Sequence, residues 1–188
     1  MAESLQVPLA AVEAVEALHA AVDAAVSELV ARHQDRLRCG RGCSDCCLDD
    51  LTVFPVEAAR IVRDHPDLLA TGEPHPPGAC AFLDASGACR IYESRPYVCR
   101  TQGLPLRWLD LAGEASGEWQ EHRDICPLNA PGGPPVEDLP PDACWPLGPV
   151  EDRLAALQEA VDAAAGPSLR ARGTRRVALR RLFRRSGA

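Results

Sequence analysis

From Pro8 to about Arg38 the apolar residues Val12, Val15, Leu18, Val22, Val26, Leu29, Val30 and Leu37 recur every three or four positions among alanine and glutamate. That spacing puts them on one stripe of an amphipathic helix. The stretch "DDLTVF" then reads as a short strand, and Pro55 suits the first turn of a helix through "VEAARIV" that must stop before Pro66. "GEPHPPGAC" is a loop. Two short apolar runs, "AFL" and "CRIY", flank an Asp-Ala-Ser-Gly turn, so residues 79–100 read as a hairpin-like segment. "TQGLPLRWLDLAGEASGEW" reads as an edge strand and a turn. From Val150 the residues Leu154, Leu157, Val161 and Ala164 mark a second amphipathic helix ending near Ala165. No internal repeat is visible.

The regular elements sit toward the ends, and most of the seventeen prolines fall between residues 66 and 149. A middle so poor in apolar periodicity needs something besides burial to hold it. The chain of 188 residues, 46% hydrophobic and 25% charged, is otherwise ordinary for a globular protein. Its opening, "MAESLQVPLA", lacks the basic start and apolar run of a signal peptide, and no apolar stretch reaches membrane-spanning length. The expected location is therefore cytoplasmic, where thiols stay reduced and clustered cysteines serve metals or catalysis more often than disulfides.

Nine cysteines make that inference matter. Four of them, Cys39, Cys43, Cys46 and Cys47, lie in "CGRGCSDCC", and the others are Cys80, Cys89, Cys99, Cys126 and Cys144. Two or three residues between cysteines let both sulfurs reach one ion from a turn, and Gly40 and Gly42 let the backbone fold tightly there. About four soft donors from several segments would satisfy a zinc ion or an iron–sulfur cluster. The adjacent pair Cys46 and Cys47 either serves two metals or splits, one side chain ligating while the other packs. A lone thiol such as Cys144 suits a small buried apolar site as well as it suits ligation. Cys126 precedes Pro127, a step found beside some iron–sulfur ligands.

"CGRGCSDCC", "CAFLDASGACRIYESRPYVCR" and the later "DICPLN" resemble, in order, the blocks of the YkgJ-like cysteine-cluster family of zinc- or iron-chelating domains. The similarity spans residues 39 to about 128, with three residues rather than two between Cys39 and Cys43. It implies metal binding, with Cys39, Cys43, Cys46, Cys47, Cys80, Cys89, Cys99 and Cys126 as the ligand positions. Flagellin lysine methylases contain a similar cluster, which admits an iron–sulfur centre and a protein-modifying role by analogy.

Thiolate clusters are net negative and favour nearby cations. Arg90, Arg95 and Arg100 stand beside Cys89 and Cys99 in sequence, as countercharges, as partners of Glu93, Asp49 or Asp50, or, for Arg95 and Arg100, as grips on a bound phosphate or carboxylate. The five histidines show no paired metal-ligand spacing; His75 and His122 read as solvated loop residues or spare ligands. There is no phosphate-binding glycine loop and no nucleophile elbow. Trp108, Trp119, Tyr92 and Tyr97 are too scattered for a nucleic-acid platform and are assigned to the core or to a lid on the cluster. Residues 167–188 carry eight arginines and no acid in a chain of net charge −7. Such an arm has the charge to bind nucleic acid, an anionic surface or an acidic protein partner, although a solvated terminus or one docked on the chain's own acidic body is the plainer reading.

The expected architecture is a small, loop-rich α+β domain around a cysteine-ligated metal centre. Its parts are an N-terminal helix in residues 1–38, a cysteine-cluster domain in 39–149, a C-terminal helix in 150–166 and an arginine-rich tail from 167. The expected function is chelation of zinc or iron, or of an iron–sulfur cluster, with an iron-dependent enzyme acting on another protein as the alternative.

Overall fold

A computed structural model describes residues 7–40, 42–111, 117–166 and 176–183. The chain is α+β and divides into two compact units. Unit 1 comprises Met1–Ala20, Arg41–Pro96 and Arg153–Ala188; unit 2 comprises Ala21–Gly40 and Tyr97–Asp152. No described helix is long and apolar enough to cross a membrane.

Helix α1 (Leu9–Arg32) contributes to both units. It stops six residues short of the stripe's end at Arg38, because residues 33–36 tighten into a turn in which the Arg36 and Leu37 amides both bond the His33 carbonyl.

In unit 1, strand β1 (Thr52–Val53) leads into helix α2 (Pro55–Asp64). Pro55 sits at the helix start, where its missing N–H costs nothing. The next donor, the Val56 amide, is capped by the Gln158 side chain at 3.0 Å, which satisfies one of the orphan amides every helix start leaves. Gln158 comes from helix α5 (Pro149–Ala165). A second short helix, α3 (Pro66–Thr71), begins at once and buries Leu69. Strand β5 (Val177–Ala178) pairs antiparallel with β1. Around these elements Val53, Ala58, Ile61, Phe82, Leu83, Ile91, Leu179 and Phe183 form one buried cluster.

A buried polar network joins α1 to α2. The His19 Nε2 lies 3.1 Å from a Glu57 carboxylate oxygen, and Arg60 approaches the other ring nitrogen at 2.7 Å. Arginine only donates, so Nδ1 accepts and the ring proton sits on Nε2, pointing at Glu57.

Unit 2 holds a three-stranded sheet in the order β3-β2-β4. Helix α4 (Tyr97–Arg100) precedes β2 (Leu106–Leu111), which pairs antiparallel with β3 (Trp119–Asp124) and parallel with β4 (Trp145–Pro146). The segment expected as an edge strand is thus the central one, because Trp145 returns from forty residues downstream to bond the Pro105 carbonyl at 2.8 Å. A second apolar cluster, Ile125, Val136, Leu139, Ala143 and Cys144, fills the space between 3-10 turns in the proline-rich segment. Among the scattered aromatics Tyr97 is buried and bonds the Trp145 indole N–H at 2.9 Å. Trp119 and Tyr92 are exposed and so lie outside the core, one of the two places expected for them; a lid on the cluster is the other.

Candidate metal centre

All nine cysteines are thiols, with no disulfide among them. Unit 1 carries Cys43, Cys46, Cys47, Cys80 and Cys89; unit 2 carries Cys39, Cys99, Cys126 and Cys144.

In unit 1 the sequence C-x2-CC folds into a tight turn, closed by the Cys47 amide on the Ser44 carbonyl at 2.8 Å. Gly42 opens it with φ +89°, a conformation L side chains rarely adopt. The second segment arrives when the Cys80 amide bonds the Cys47 carbonyl at 2.8 Å. The Asp-Ala-Ser-Gly turn then reverses the chain. Asp84 accepts the Ser86 and Ala88 amides on one carboxylate oxygen, at 2.8 and 2.9 Å. The turn returns through a bridge between Leu83 and Cys89. The hairpin expected over residues 79–100 is therefore reduced to one bridge, followed by a 3-10 turn at Tyr92–Ser94. Its tip lies against the first turn: a side chain added at Gly87 would stand 3.4 Å from the Gly42 carbonyl and 3.7 Å from the Ser44 hydroxyl. Three stretches carrying five thiols are thus packed side by side.

Their electrostatics differ. A hydrogen bond from Cys47 lowers the Cys46 thiol to about 6, a shift that favours its thiolate. Burial pushes Cys80 and Cys89 up. Positive charge works against that burial: Arg180 and Arg90 favour the Cys80 thiolate, and Arg95 and Arg90 favour that of Cys89. Arg90 is held by the carbonyls of Ala81 and Phe82, and Arg95 lies over the Tyr92 ring at 4.0 Å. Among the described residues no three side chains of cysteine, histidine, aspartate or glutamate stand together as a ready ion site. The donor chemistry nevertheless fits zinc or iron: soft sulfur donors on several segments, one with its thiol lowered, and cations beside Cys80 and Cys89.

In unit 2, Cys39 is exposed and its sulfur accepts a hydrogen bond from the Asn129 amide at 3.3 Å. Asn129 is fully buried and also donates to the Gly103 carbonyl at 2.7 Å, while its side-chain oxygen accepts the Arg38 amide at 2.8 Å. The Asn129 amide bonds the Cys126 carbonyl, so one asparagine ties the Cys126 turn to Cys39. Cys99 sits in α4. Cys144 is buried in the apolar cluster, with its thiol pushed up by burial. Arg100 is buried and paired with Asp23, which lies in unit 2. His75 gives its amide to the Ala81 carbonyl, and the His122 ring stacks on Trp108 at 5.5 Å.

Three residues around the thiols escape sequence reasoning. Asn129 and Gly103 match no motif, although an asparagine three residues after Cys126 is a plausible turn signal. Arg180 lies in what looks like a generic basic tail. Its guanidinium pairs with Asp49 and donates to the carbonyls of His75, Pro76 and Ala79. The described part of that tail, residues 176–183, is therefore docked on unit 1. The rest of the arm, whose charge also admits nucleic acid or an anionic surface as the less favoured reading, lies outside the described residues.

Comparison with curated proteins and with solved structures gives no match. Residues 38–127 match the family model CxxCxxCC, described as "Putative zinc- or iron-chelating domain". That span takes in eight of the nine cysteines and excludes Cys144, the one packed inside an apolar cluster. The similarity of this chain to the CxxCxxCC family is thus carried by residues 38–127, somewhat less than half of its length.

Proposed function

We propose that this protein chelates zinc or iron through Cys43, Cys46, Cys47, Cys80 and Cys89 of unit 1. The observation that carries the reading is the bond from the Cys80 amide to the Cys47 carbonyl at 2.8 Å, which fastens the C-x2-CC turn to the segment bearing the buried thiols. Cysteine side chains move between staggered wells about one bond, so sulfurs on stretches already fastened together can turn toward one ion. A bound ion would supply Lewis acidity and the energy to draw the donors in; the chain supplies the turn, the lowered Cys46 thiol and the neighbouring arginines. Binding of this kind would add stability to a domain whose proline-rich loops have little regular structure of their own.

Cys39, Cys99 and Cys126 are included as thiol donors of unit 2, with Asn129 as the group that supports Cys39 through its N–H to sulfur. Cys144 is excluded, because burial among Ile125, Val136, Leu139 and Ala143 accounts for it.

The test is titration of metal-free protein with cobalt(II), whose thiolate complexes absorb in the near ultraviolet. A saturable band is expected for the unaltered protein and for Cys144→Ser, with loss or strong weakening in Cys46→Ser and Cys80→Ser. Absence of the band in the unaltered protein, or its persistence at full strength in a Cys46→Ser, Cys80→Ser double variant, refutes the proposal.

A further inference from the structure

We propose that Arg180 is a positioning residue for the thiol site and that residues 176–183 are a strap holding the site's two loops together. The inference rests on the thiol reading above, and it makes the C-terminal arginine segment part of the metal-binding domain although it lies outside the matched span.

Four observations place the strap. Val177–Ala178 adds a strand to β1, and the Leu179 amide bonds the Leu51 carbonyl at 3.0 Å. Leu179 and Phe183 are buried in the same cluster as Cys80, against which Cys47 and Cys89 also pack. The Phe183 ring lies 4.9 Å from that of Phe82, with the Arg90 guanidinium 5.3 Å above it. Between the two apolar anchors Arg180 points at the loops.

Its grip joins both ligand-bearing stretches. Arg180 Nε pairs with Asp49, two residues beyond Cys47, while Nη1 donates to the His75 carbonyl at 2.6 Å and Nη2 to the Ala79 carbonyl at 2.8 Å and the Pro76 carbonyl at 3.2 Å. Ala79 is the residue before Cys80. The other Asp49 oxygen accepts the Gly78 amide at 3.0 Å, so the ion pair is bonded to the same loop from both of its members. The loop contains Pro74, Pro76 and Pro77, which have no N–H to give to a regular element. Its carbonyls therefore need an outside donor, and a planar guanidinium with five N–H groups can serve three of them and a carboxylate at once. An ammonium has the charge but not the fork. Partners that orient ligands in this way typically set metal affinity by 10–100-fold when removed.

The experiment compares the full chain with Arg180→Gln, Arg180→Lys and, as control, Arg181→Ala, an exposed neighbour in the same turn. Two readouts are taken. In metal-free protein, alkylation of Cys80, which is 7% exposed, is expected to speed up by at least about tenfold in both Arg180 variants, since bonds to a charged group contribute more than the ~1.4 kcal/mol that a factor of ten represents. Arg181→Ala is expected to label at the unaltered rate. In cobalt-loaded protein, both Arg180 variants are expected to bind about 10–100-fold more weakly, with a shifted thiolate–cobalt band, at unchanged helix content. Lysine restores neither readout. Unchanged Cys80 labelling in Arg180→Gln overturns the strap whatever metal the protein takes. Faster labelling with unchanged cobalt affinity and band shape overturns the positioning role and reduces Arg180 to a purely structural clamp. If the unaltered protein binds no cobalt at all, the thiol reading fails, and the labelling arm alone decides the strap.

Discussion

Replacing Phe183 by alanine tests whether the end of the chain belongs to the core of unit 1. Phe183 is 6% exposed and packs on Phe82, which is fully buried, with ring centroids 4.9 Å apart and planes inclined by 42°. Truncating a buried phenylalanine costs about 3–5 kcal/mol through lost transfer energy and the cavity left behind. Within that, the aromatic pair contributes roughly 0.5–1.5 kcal/mol. The Arg90 guanidinium over the ring contributes about 0.5–1 kcal/mol more. A domain is typically stable by only about 5–15 kcal/mol, so the loss is a large fraction of the whole. A solvated tail residue would cost less than about 0.5 kcal/mol. The assay is urea unfolding of metal-free protein followed by hydrogen exchange of the α2 amides, which report unit 1. The expected result is a loss above ~3 kcal/mol for Phe183→Ala. A loss within about 0.5 kcal/mol would refute the argument that this segment is core.

Burial holds His65 below the ordinary histidine value; the Arg60 charge acts in the same direction and Asp64 against it. The neutral ring is thus favoured by folding, so the stability this provides is complete above about 6.5 and is lost as pH falls through the lowered value. Unit 1 should show a lower unfolding midpoint at pH 5 than at pH 7.5, and His65→Gln should flatten that difference; an undiminished slope in the variant contradicts the assignment. In unit 2, Gly103 has φ +92°, and a side chain there would stand 2.5 Å from the Cys39 sulfur, so Gly103→Ala should destabilise by about 1–3 kcal/mol from backbone strain alone. Tryptophan fluorescence measures this directly, because Trp108, Trp119 and Trp145 all belong to unit 2; an unchanged unfolding curve would argue against the close approach. Asn129→Ala strips partners from the Arg38 amide and the Gly103 carbonyl, each costing about 1–3 kcal/mol if left unsatisfied, and should speed alkylation of Cys39. Unaltered stability and labelling would mean the asparagine holds nothing.

The α+β class and the cysteine framework were legible in the chain because both depend on local information. Periodicity places helical turns near Val12 and Leu154, Pro55 marks the α2 start, and the spacing of Cys43, Cys46 and Cys47 is itself a turn. What could not be read is whatever depends on partners far away in sequence. β2 looks like an edge strand until Trp145 pairs beside it, and nothing in "LPLRWLDL" announces that second neighbour. The α2 start has no capping side chain of its own; Gln158 supplies it from 102 residues away. Arg180 is one of eight arginines in the last 22 residues, and composition gives no sign of which one enters a loop of carbonyls. The same holds for Arg100, whose partner Asp23 lies 77 residues away. A motif points to candidate ligands; long-range hydrogen bonds decide what supports them.

Elemental analysis of the full chain purified without oxygen, combined with assay of inorganic sulfide, tests the central claim most directly. Zinc or iron is expected at no less than about one atom per chain, lost together from Cys46→Ser and Cys80→Ser and retained in Cys144→Ser; iron accompanied by sulfide identifies a cluster, and metal without sulfide a mononuclear site. Protein purified with no bound metal, or with metal that survives loss of both Cys46 and Cys80, would contradict metal binding at these thiols.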